Sequence, residues 1–284
     1  MAASGSLLAQ VSEKTPLTNA GAPMRVEFSC TDEDMDTLGL ACPPEAPCDA
    51  FLELSAVEAV GARLFLIGNV HTDAVTLHSI LLATTDAGKT WEEPSERIRG
   101  AALDQIQILD NETGWIGGQV VQPLPRDPFL LKTADGGLTW RRYPVLSESR
   151  AGAVDRFRFE SRKDGLIWID RGSSGEAEAR YERYESATGG ESWTLREATS
   201  RQPPREAAQA AKDTGWRLRP DAAAKAYRLE RYTEGQWRAV ASFLIPVGQC
   251  KALPKALSEP PPEPAPEAPK KPPAKKSESL PKRK

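Results

Sequence analysis

The chain has 284 residues, of which 39% are hydrophobic and 27% charged, and its formal net charge is −3 at pH 7. That composition is sufficient for a large hydrophobic core, and no stretch approaches the 18 consecutive apolar residues typical of a transmembrane helix. The acidic balance argues against a nucleic-acid-binding protein, because an acidic surface repels phosphate.

The first segment, residues 1–23, looks like the end of a secretory signal peptide followed by an N-terminal extension. A short apolar run ends at Ala9, and a polar stretch begins at Gln10. A complete signal would also have a basic start and a longer apolar core, which are missing here. Either the true start lies further upstream, or the run is only an apolar tail. We favour the first interpretation, which predicts a periplasmic or secreted protein.

The cysteines and histidines suggest no metal or thiol chemistry. No C-x-x-C pair occurs, and the two histidines, His71 and His78, lie in a region typical of strands. We therefore expect no metal site and no cysteine nucleophile. Four cysteines allow three disulfide pairings: Cys30, Cys42, Cys48 and Cys250.

One phrase of eight residues recurs at intervals close to 50 residues. It reads TTDAGKTW at 84–91 and TADGGLTW at 133–140, lacks its aspartate in SATGGESW at 186–193, and survives only as YTEGQW at 232–237. Glycines between β-forming residues predict a hairpin, and the aspartate can accept hydrogen bonds from the amides of its own turn. We predict structural, not catalytic, roles for these residues: Asp86, Gly88, Thr90, Trp91, Asp135, Gly137, Thr139, Trp140, Gly190 and Trp193.

A second phrase recurs in phase with the first, around Trp115, Trp168 and Trp216. Each period has room for four short strands, which is the content of one propeller blade. In the second period we predict strands at 105–109, 114–120, 128–133 and 138–145. The opening strand of the fourth period would come from the alanine-rich stretch 207–214, where a short helix or a loop is an equal alternative.

The pattern S/T-x-D-x-G-x-T-W resembles the Asp-box, or BNR, repeat of sialidases and sortilin-type receptors. Together with the second phrase, it is most similar to the photosystem II stability and assembly factor family. The resemblance covers about residues 50–246 and implies an all-β fold, a small β-propeller of about four blades. We assign the propeller to residues 24–250.

Four blades could form an open arc, which would leave unpaired strand edges at both ends, or a closed ring, in which a strand from one terminus completes the blade begun by the other. The segment ASFLIPVG, 241–248, is placed to do so, with MRVEF or AFLEL as its N-terminal neighbour. Closure of this kind would bring Cys30 to Cys250 and leave Cys42 to pair with Cys48. The alternative is four free thiols in a reducing compartment.

Catalysis is not expected from the sequence. Sialidases, the enzymes among Asp-box proteins, need an arginine cluster, a Tyr–Glu pair and an R-I-P motif, and the motif is missing here. Tyr184 and Glu185 are adjacent, so on a strand they point to opposite faces. The sequence therefore predicts no enzyme, no catalytic residue and no cofactor. The expected function is a scaffold or assembly factor that binds a protein partner in the cell envelope; the alternative is a carbohydrate-binding or sialidase-like propeller.

The C-terminal segment, residues 251–284, has a different composition. It holds ten prolines, nine basic residues and four glutamates, so it carries a net charge of +5 on a body of 28 basic and 36 acidic residues. Such a segment cannot bury enough apolar surface to fold, and we expect a disordered arm. It could be a solvated spacer or could contact a membrane or an acidic surface peripherally.

Overall fold

The computed structural model describes residues 15–172, 179–203 and 215–252, and these residues form a small β-propeller with four blades. Each blade is an antiparallel sheet. The strands of blade one are β2 (Cys48–Val60), β3 (Arg63–His71), β4 (Thr76–Thr84) and β17 (Pro246–Cys250); those of blade two are β6 (Ala101–Ile108), β7 (Gly114–Val120), β8 (Arg126–Thr133) and β9 (Arg141–Pro144). Those of blade three are β10 (Ala153–Phe159), β11 (Gly165–Asp170), β12 (Tyr181–Ser186) and β13 (Thr194–Thr199); those of blade four are β14 (Trp216–Asp221), β15 (Ala226–Thr233) and β16 (Gln236–Leu244).

Two short elements precede or flank blade one. A two-stranded sheet joins β1 (Leu17–Thr18) to β5 (Thr90–Trp91), and β5 follows β4 directly. One helix, α1 (Asp32–Leu38), occurs among the described residues. Thr31 and Asp34 form a capping box at its start, and Gly39 ends it in a left-handed conformation.

Helix α1 is anchored to the sheets by Asp34. This carboxylate accepts hydrogen bonds from Arg99 Nε at 2.7 Å and lies 3.0 Å from His78 Nε2 on β4. Burial by itself raises the pKa of Asp34, but hydrogen bonds from the Thr31 backbone and the Arg99 side chain lower it to about 2. The helix is therefore held by a buried charge that stays ionised at neutral pH.

Three hydrophobic cores fill the spaces between neighbouring blades. Phe243 and Leu229 of blade four pack with Leu52 of blade one. The other two cores join blade one to blade two, around Phe65 and Ile116, and blade two to blade three, around Trp115 and Phe157. The blades are thus in the order four, one, two, three. The stretch that links blade three to blade four, residues 204–214, includes the predicted opening strand at 207–214 and lies outside the described residues.

Blade one is completed by the C-terminal strand. Strand β17 pairs with β2, with Cys250 opposite Cys48 and Gln249 opposite Asp49. Both predicted disulfides are present, Cys30–Cys250 and Cys42–Cys48, and free cysteines are absent because these four are all that the sequence contains. Two disulfides are typical of proteins that mature in an oxidising environment.

The structure corrects the predicted closing strand. Residues 241–248 do not form one strand, because Ala241–Leu244 ends β16 in blade four and β17 begins only at Pro246. Proline has no amide proton, so the ladder to β15 cannot continue through it. On the N-terminal side AFLEL lies within β2, whereas MRVEF contributes one isolated bridge, Met24 to Phe243.

The proposed boundaries at residues 23 and 250 remain predictions. Residues 1–14 and 253–284, which hold the expected signal remnant and nearly all of the basic arm, lie outside the described residues. In the described part, no helix is long and apolar enough to cross a membrane.

Candidate functional site

The Asp-box side chains lock the hairpins that contain them. In box two, Asp135 accepts hydrogen bonds from the Thr139 amide at 3.0 Å, the Thr139 hydroxyl at 2.6 Å and the Thr133 hydroxyl at 2.8 Å. In box one, Asp86 makes the same contacts with Thr84 and Thr90. Both carboxylates thus use most of their acceptor sites on their own turns, and their structural role stays a prediction.

The tryptophan and glycine of each box repeat one geometry. Each indole N–H donates to the carbonyl of the glycine three residues earlier: Trp91 to Gly88 at 3.2 Å, Trp140 to Gly137 at 3.1 Å and Trp193 to Gly190 at 3.1 Å. These glycines have φ between 88° and 93°, in the left-handed region. A side chain at Gly137 would also place its Cβ 2.4 Å from Phe65, so glycine is required there by both backbone and space.

Each of these boxes docks on the preceding blade. Arg63 of blade one donates to the Gly136 carbonyl of box two at 2.7 Å. Trp115 of blade two donates to the Gly189 carbonyl of box three at 2.9 Å. Trp91 of box one packs edge-on against Phe243 of blade four, with ring centroids 5.2 Å apart. The boxes therefore hold neighbouring blades together, in addition to fixing their own hairpin turns.

The last two boxes have diverged in different ways. In box three, Thr188 stands where the aspartate would be, and its hydroxyl accepts from the Ser192 amide at 2.9 Å. Box four is a two-residue turn at Glu234 and Gly235, both with positive φ, which is the type I′ arrangement of a tight hairpin.

We expect Asp135→Asn to lower stability by about 1 kcal/mol at neutral pH, a value reduced by the solvent exposure of the turn. Partial burial opposes ionisation of Asp135, but hydrogen bonds from Thr139 and Thr133 lower its pKa to about 2. The unfolded value is near 3.9, so the stabilisation is present above about pH 4 and is lost as the pH falls towards 2.

Urea denaturation of both proteins at several pH values measures this difference. Thr188→Val is the matched control, because it removes a neutral acceptor at the same place in box three and its cost should not change with pH. A cost of Asp135→Asn that is the same at pH 7 and pH 2 would contradict the role of the charge.

A different cluster has the features of a ligand site, and we call it the inter-blade cluster: Glu53, Asn69, Asp104, Gln119 and Tyr227. Glu53 on β2 accepts a hydrogen bond from Asn69 Nδ2 at 3.0 Å, and Asp104 on β6 accepts from Gln119 Nε2 at 2.5 Å. Both carboxylates are exposed, whereas Asn69 and Gln119 are each only 6% exposed. Blades one, two and four all contribute to it.

One acceptor in the cluster is unused. Gln119 is satisfied at both ends, because its Oε1 accepts from the Val154 amide at 3.1 Å. Asn69 is satisfied only at Nδ2, and its buried Oδ1 has no hydrogen-bond partner among the described residues. A buried amide oxygen without a donor is costly, so Asn69 is kept at a cost in stability while its Nδ2 holds Glu53.

The charge of Glu53 influences the pKa values of two other members of the cluster, Asp104 and Tyr227. Loss of hydration raises the pKa of Asp104, the Gln119 hydrogen bond opposes this, and the negative charge of Glu53 adds to the rise. Burial raises the pKa of Tyr227, again with a contribution from Glu53. The cluster thus combines a carboxyl that takes up a proton more readily than usual with a second carboxylate nearby.

Asp104 lies in a β-bulge that recurs in the first strand of three blades. The ladders shift register at Ser55 in β2, at Asp104 in β6 and at Asp155 in β10. A bulge re-aims a side chain relative to the regular pleat. The blade-three counterpart, Asp155, instead pairs with Arg156 at 3.3 Å, so the bulge is shared but the cluster is not.

A groove beside β1 is the second candidate site. Its volume is about 570 Å³, and it lies between the N-terminal segment, the end of blade one and the loop that follows β5. We call it the β1 groove, and it is lined by Thr15, Leu17, Val26, Glu27, Phe28, Ser29, Leu82, Trp91, Glu92, Glu93 and Arg97.

Tyr184 forms a hydrogen-bonded pair with Glu182 and not with its neighbour Glu185. The Tyr184 hydroxyl donates to Glu182 at 2.7 Å, and both side chains are buried. Burial, with the nearby Glu182 carboxylate, raises the pKa of Tyr184 to about 12. Glu185 instead accepts from Arg183 and Arg196. A buried phenol with a raised pKa is a poor nucleophile at neutral pH.

The described residues contain no group of three or more acidic, histidine or cysteine side chains arranged to hold a metal ion. No sequence motif marked Glu53, Asn69 or Asp104. The bulge positions 55, 104 and 155 do fall in phase with the repeat, so aligning the repeats on their first strands would have exposed the acidic residues there.

Comparison with known proteins finds distant structural matches. No protein-family model and no curated protein matches the chain. A solved structure described as YCF48 bound to D1 peptide matches with 19% identity and a TM-score of 0.36, covering 70% of this chain and 56% of that one. The GH74 xyloglucanase from Xanthomonas campestris matches with 16% identity and a TM-score of 0.36, covering 66% of this chain and 28% of that one. The Penicillium chrysogenum alpha-L-arabinanase complexed with arabinobiose matches with 13% identity and a TM-score of 0.37, covering 80% of this chain and 66% of that one.

These likenesses correct one prediction. The sequence led us to expect a protein that is not an enzyme, and this exclusion is wrong as it stands, because the xyloglucanase and the arabinanase are glycoside hydrolases. The similar fold therefore occurs in enzymes as well as in a protein described as bound to a peptide. At such low identity and TM-score the comparisons assign this chain no activity.

Proposed function

We propose that this propeller recognises a neutral glycan at the inter-blade cluster. The observation that carries the proposal is a pair of exposed carboxylates on adjacent blades, Glu53 and Asp104, each held by the side-chain amide of a buried residue. Sugar hydroxyls are donors, and the carboxylates of Glu53 and Asp104 are acceptors open to solvent. An anionic sugar would meet the negative charges of Glu53 and Asp104, so neutral glycans fit better than uronic or sialic acids.

The same two carboxylates are groups of the kind that glycoside hydrolysis uses. A carboxyl with a raised pKa, such as Asp104, is suited to donate a proton, and a second carboxylate, such as Glu53, to act as nucleophile or base. The experiment should therefore measure glycan hydrolysis together with glycan binding.

Isothermal titration of the full-length protein with soluble neutral polysaccharides, together with an assay for released reducing ends, tests the proposal. We expect Glu53→Gln and Asn69→Ala to weaken binding by about tenfold, or 1.4 kcal/mol. Asp155→Asn is the matched control, since it changes the equivalent bulge residue of blade three and should leave binding unchanged.

Two outcomes would contradict the proposal. The first is no binding of any neutral polysaccharide; the second is binding that Glu53→Gln and Asn69→Ala leave intact. If Asp104→Asn abolishes the release of reducing ends while binding persists, the site is catalytic as well as recognitive.

A second candidate function is a scaffold that binds a protein partner in the cell envelope. The β1 groove favours it, because its size suits side chains of a partner. The disulfides fit an extracytoplasmic location for either function, periplasmic or secreted. Peripheral contact of the basic arm with a membrane or an acidic surface remains part of this candidate.

A further inference from the structure

The β1 groove carries negative charge that the described residues do not match. Arg97 binds Glu93 through Nε at 2.8 Å and Nη2 at 2.5 Å, and its Nη2 also donates to the Glu27 carbonyl at 2.9 Å. The guanidinium is therefore committed to Glu93. The side chains of Glu27 and Glu92 are exposed and have no ion pair among the described residues, so the groove favours a cationic occupant.

The groove also offers apolar surface. Leu17 and Phe28 are only partly buried, and Leu82 and Trp91 close the floor behind them. A hydrated ion or a small amine would leave this surface uncovered. An occupant that places apolar and cationic groups side by side would use both.

Beside the groove lies a strand edge. Strand β1 pairs with β5 on one side, Leu17 opposite Trp91 and Thr18 opposite Thr90, and in the described part of the chain no strand pairs with its other side. Unpaired N–H and C=O groups on such an edge can hydrogen-bond an extended peptide.

We propose that the β1 groove binds an extended segment of a partner protein in which basic and apolar residues take turns at every second position, so that both kinds of side chain lie on the face towards the groove. The segment adds to the free edge of β1. Its cations then lie at Glu27 and Glu92, and its apolar side chains cover Leu17 and Phe28. This site is distinct in its residues from the inter-blade cluster, so either site can fail its test without affecting the other.

Fluorescence anisotropy with a fluorescein-labelled peptide that repeats Lys-Thr-Val-Thr, which presents lysine and valine on one face, tests this proposal when added to the full-length protein. We expect binding that is at least tenfold weaker for the double variant Glu27→Gln/Glu92→Gln. Glu96→Gln, an exposed change on the same loop but outside the groove, should leave binding unchanged. A peptide with glutamate in place of lysine should not bind.

Two further probes separate a peptide site from a simple charge site. The same peptide methylated on alternate backbone amides keeps its charge but cannot pair with a strand edge, and it should bind at least tenfold more weakly. Spermidine should not displace the labelled peptide at equal concentration. Equal affinity of the methylated peptide, displacement by spermidine, or equal loss in Glu96→Gln would each overturn the proposal.

Discussion

Replacement of both Cys30 and Cys250 by serine is expected to cost up to about 5 kcal/mol of stability, the chain-entropy value for a very long loop. The two residues are 220 positions apart in sequence, so the reduced, unfolded chain gains a great deal of freedom. They also lie where β17 meets blade one, so their release frees the strand that completes that blade. Urea denaturation of the wild-type and doubly substituted proteins measures the loss.

The second disulfide provides the matched comparison. Cys42 and Cys48 are only 6 positions apart, and the same entropy estimate gives about 2 kcal/mol for a loop of that size. The double serine variant of this pair should therefore be clearly more stable than that of Cys30 and Cys250. Equal losses, or peptide mapping that finds free Cys30 and Cys250 in the native protein, would contradict covalent closure of blade one.

Trp115→Ala is expected to destabilise the protein by about 3 to 5 kcal/mol, the usual range for deleting a buried tryptophan. Trp115 is fully buried and stacks on Phe159, with ring centroids 3.7 Å apart. Its indole also satisfies the Gly189 carbonyl of box three. The substitution thus opens a cavity and leaves a buried acceptor unpaired between blades two and three.

Trp168→Ala is the natural control for this experiment. Trp168 lies on the corresponding strand of the next blade, two residues further along in register, and it is only partly buried. The guanidinium of Arg183 lies over its ring, 6.0 Å from the ring centroid. We expect a loss of about 1 kcal/mol, in line with ordinary partly exposed substitutions. If the two substitutions cost the same, Trp115 does not hold the blade interface.

Much of the fold could be predicted because its repeated parts are local. The glycines and tryptophans of the boxes satisfy turns within eight residues, so their pattern survives in the sequence wherever the turn does. Strand Gly114–Val120 was predicted to the residue for the same reason. By contrast β6 begins at Ala101, four residues before the predicted start, because the bulge at Asp104 interrupts the alternation on which the prediction rested.

Other elements had no repeated signal. Helix α1 spans only seven residues, and its stability comes from the capping box and from Asp34 contacts with Arg99 and His78, which are distant in sequence. The inter-blade cluster was missed because its two carboxylates, Glu53 and Asp104, come from different blades. What distinguishes Asn69 is an unsatisfied oxygen, a property of packing that no sequence pattern records.

The pairing of β17 with β2 has a consequence for biosynthesis. Blades two and three are each built from one continuous stretch, so each can form as soon as that stretch leaves the ribosome or an export channel. Blade one cannot, because its fourth strand is residues 246–250 and its other three lie before residue 85. Until residues 246–250 emerge, β2 presents an open edge to any neighbouring chain, so the nascent protein needs chaperone protection up to that point.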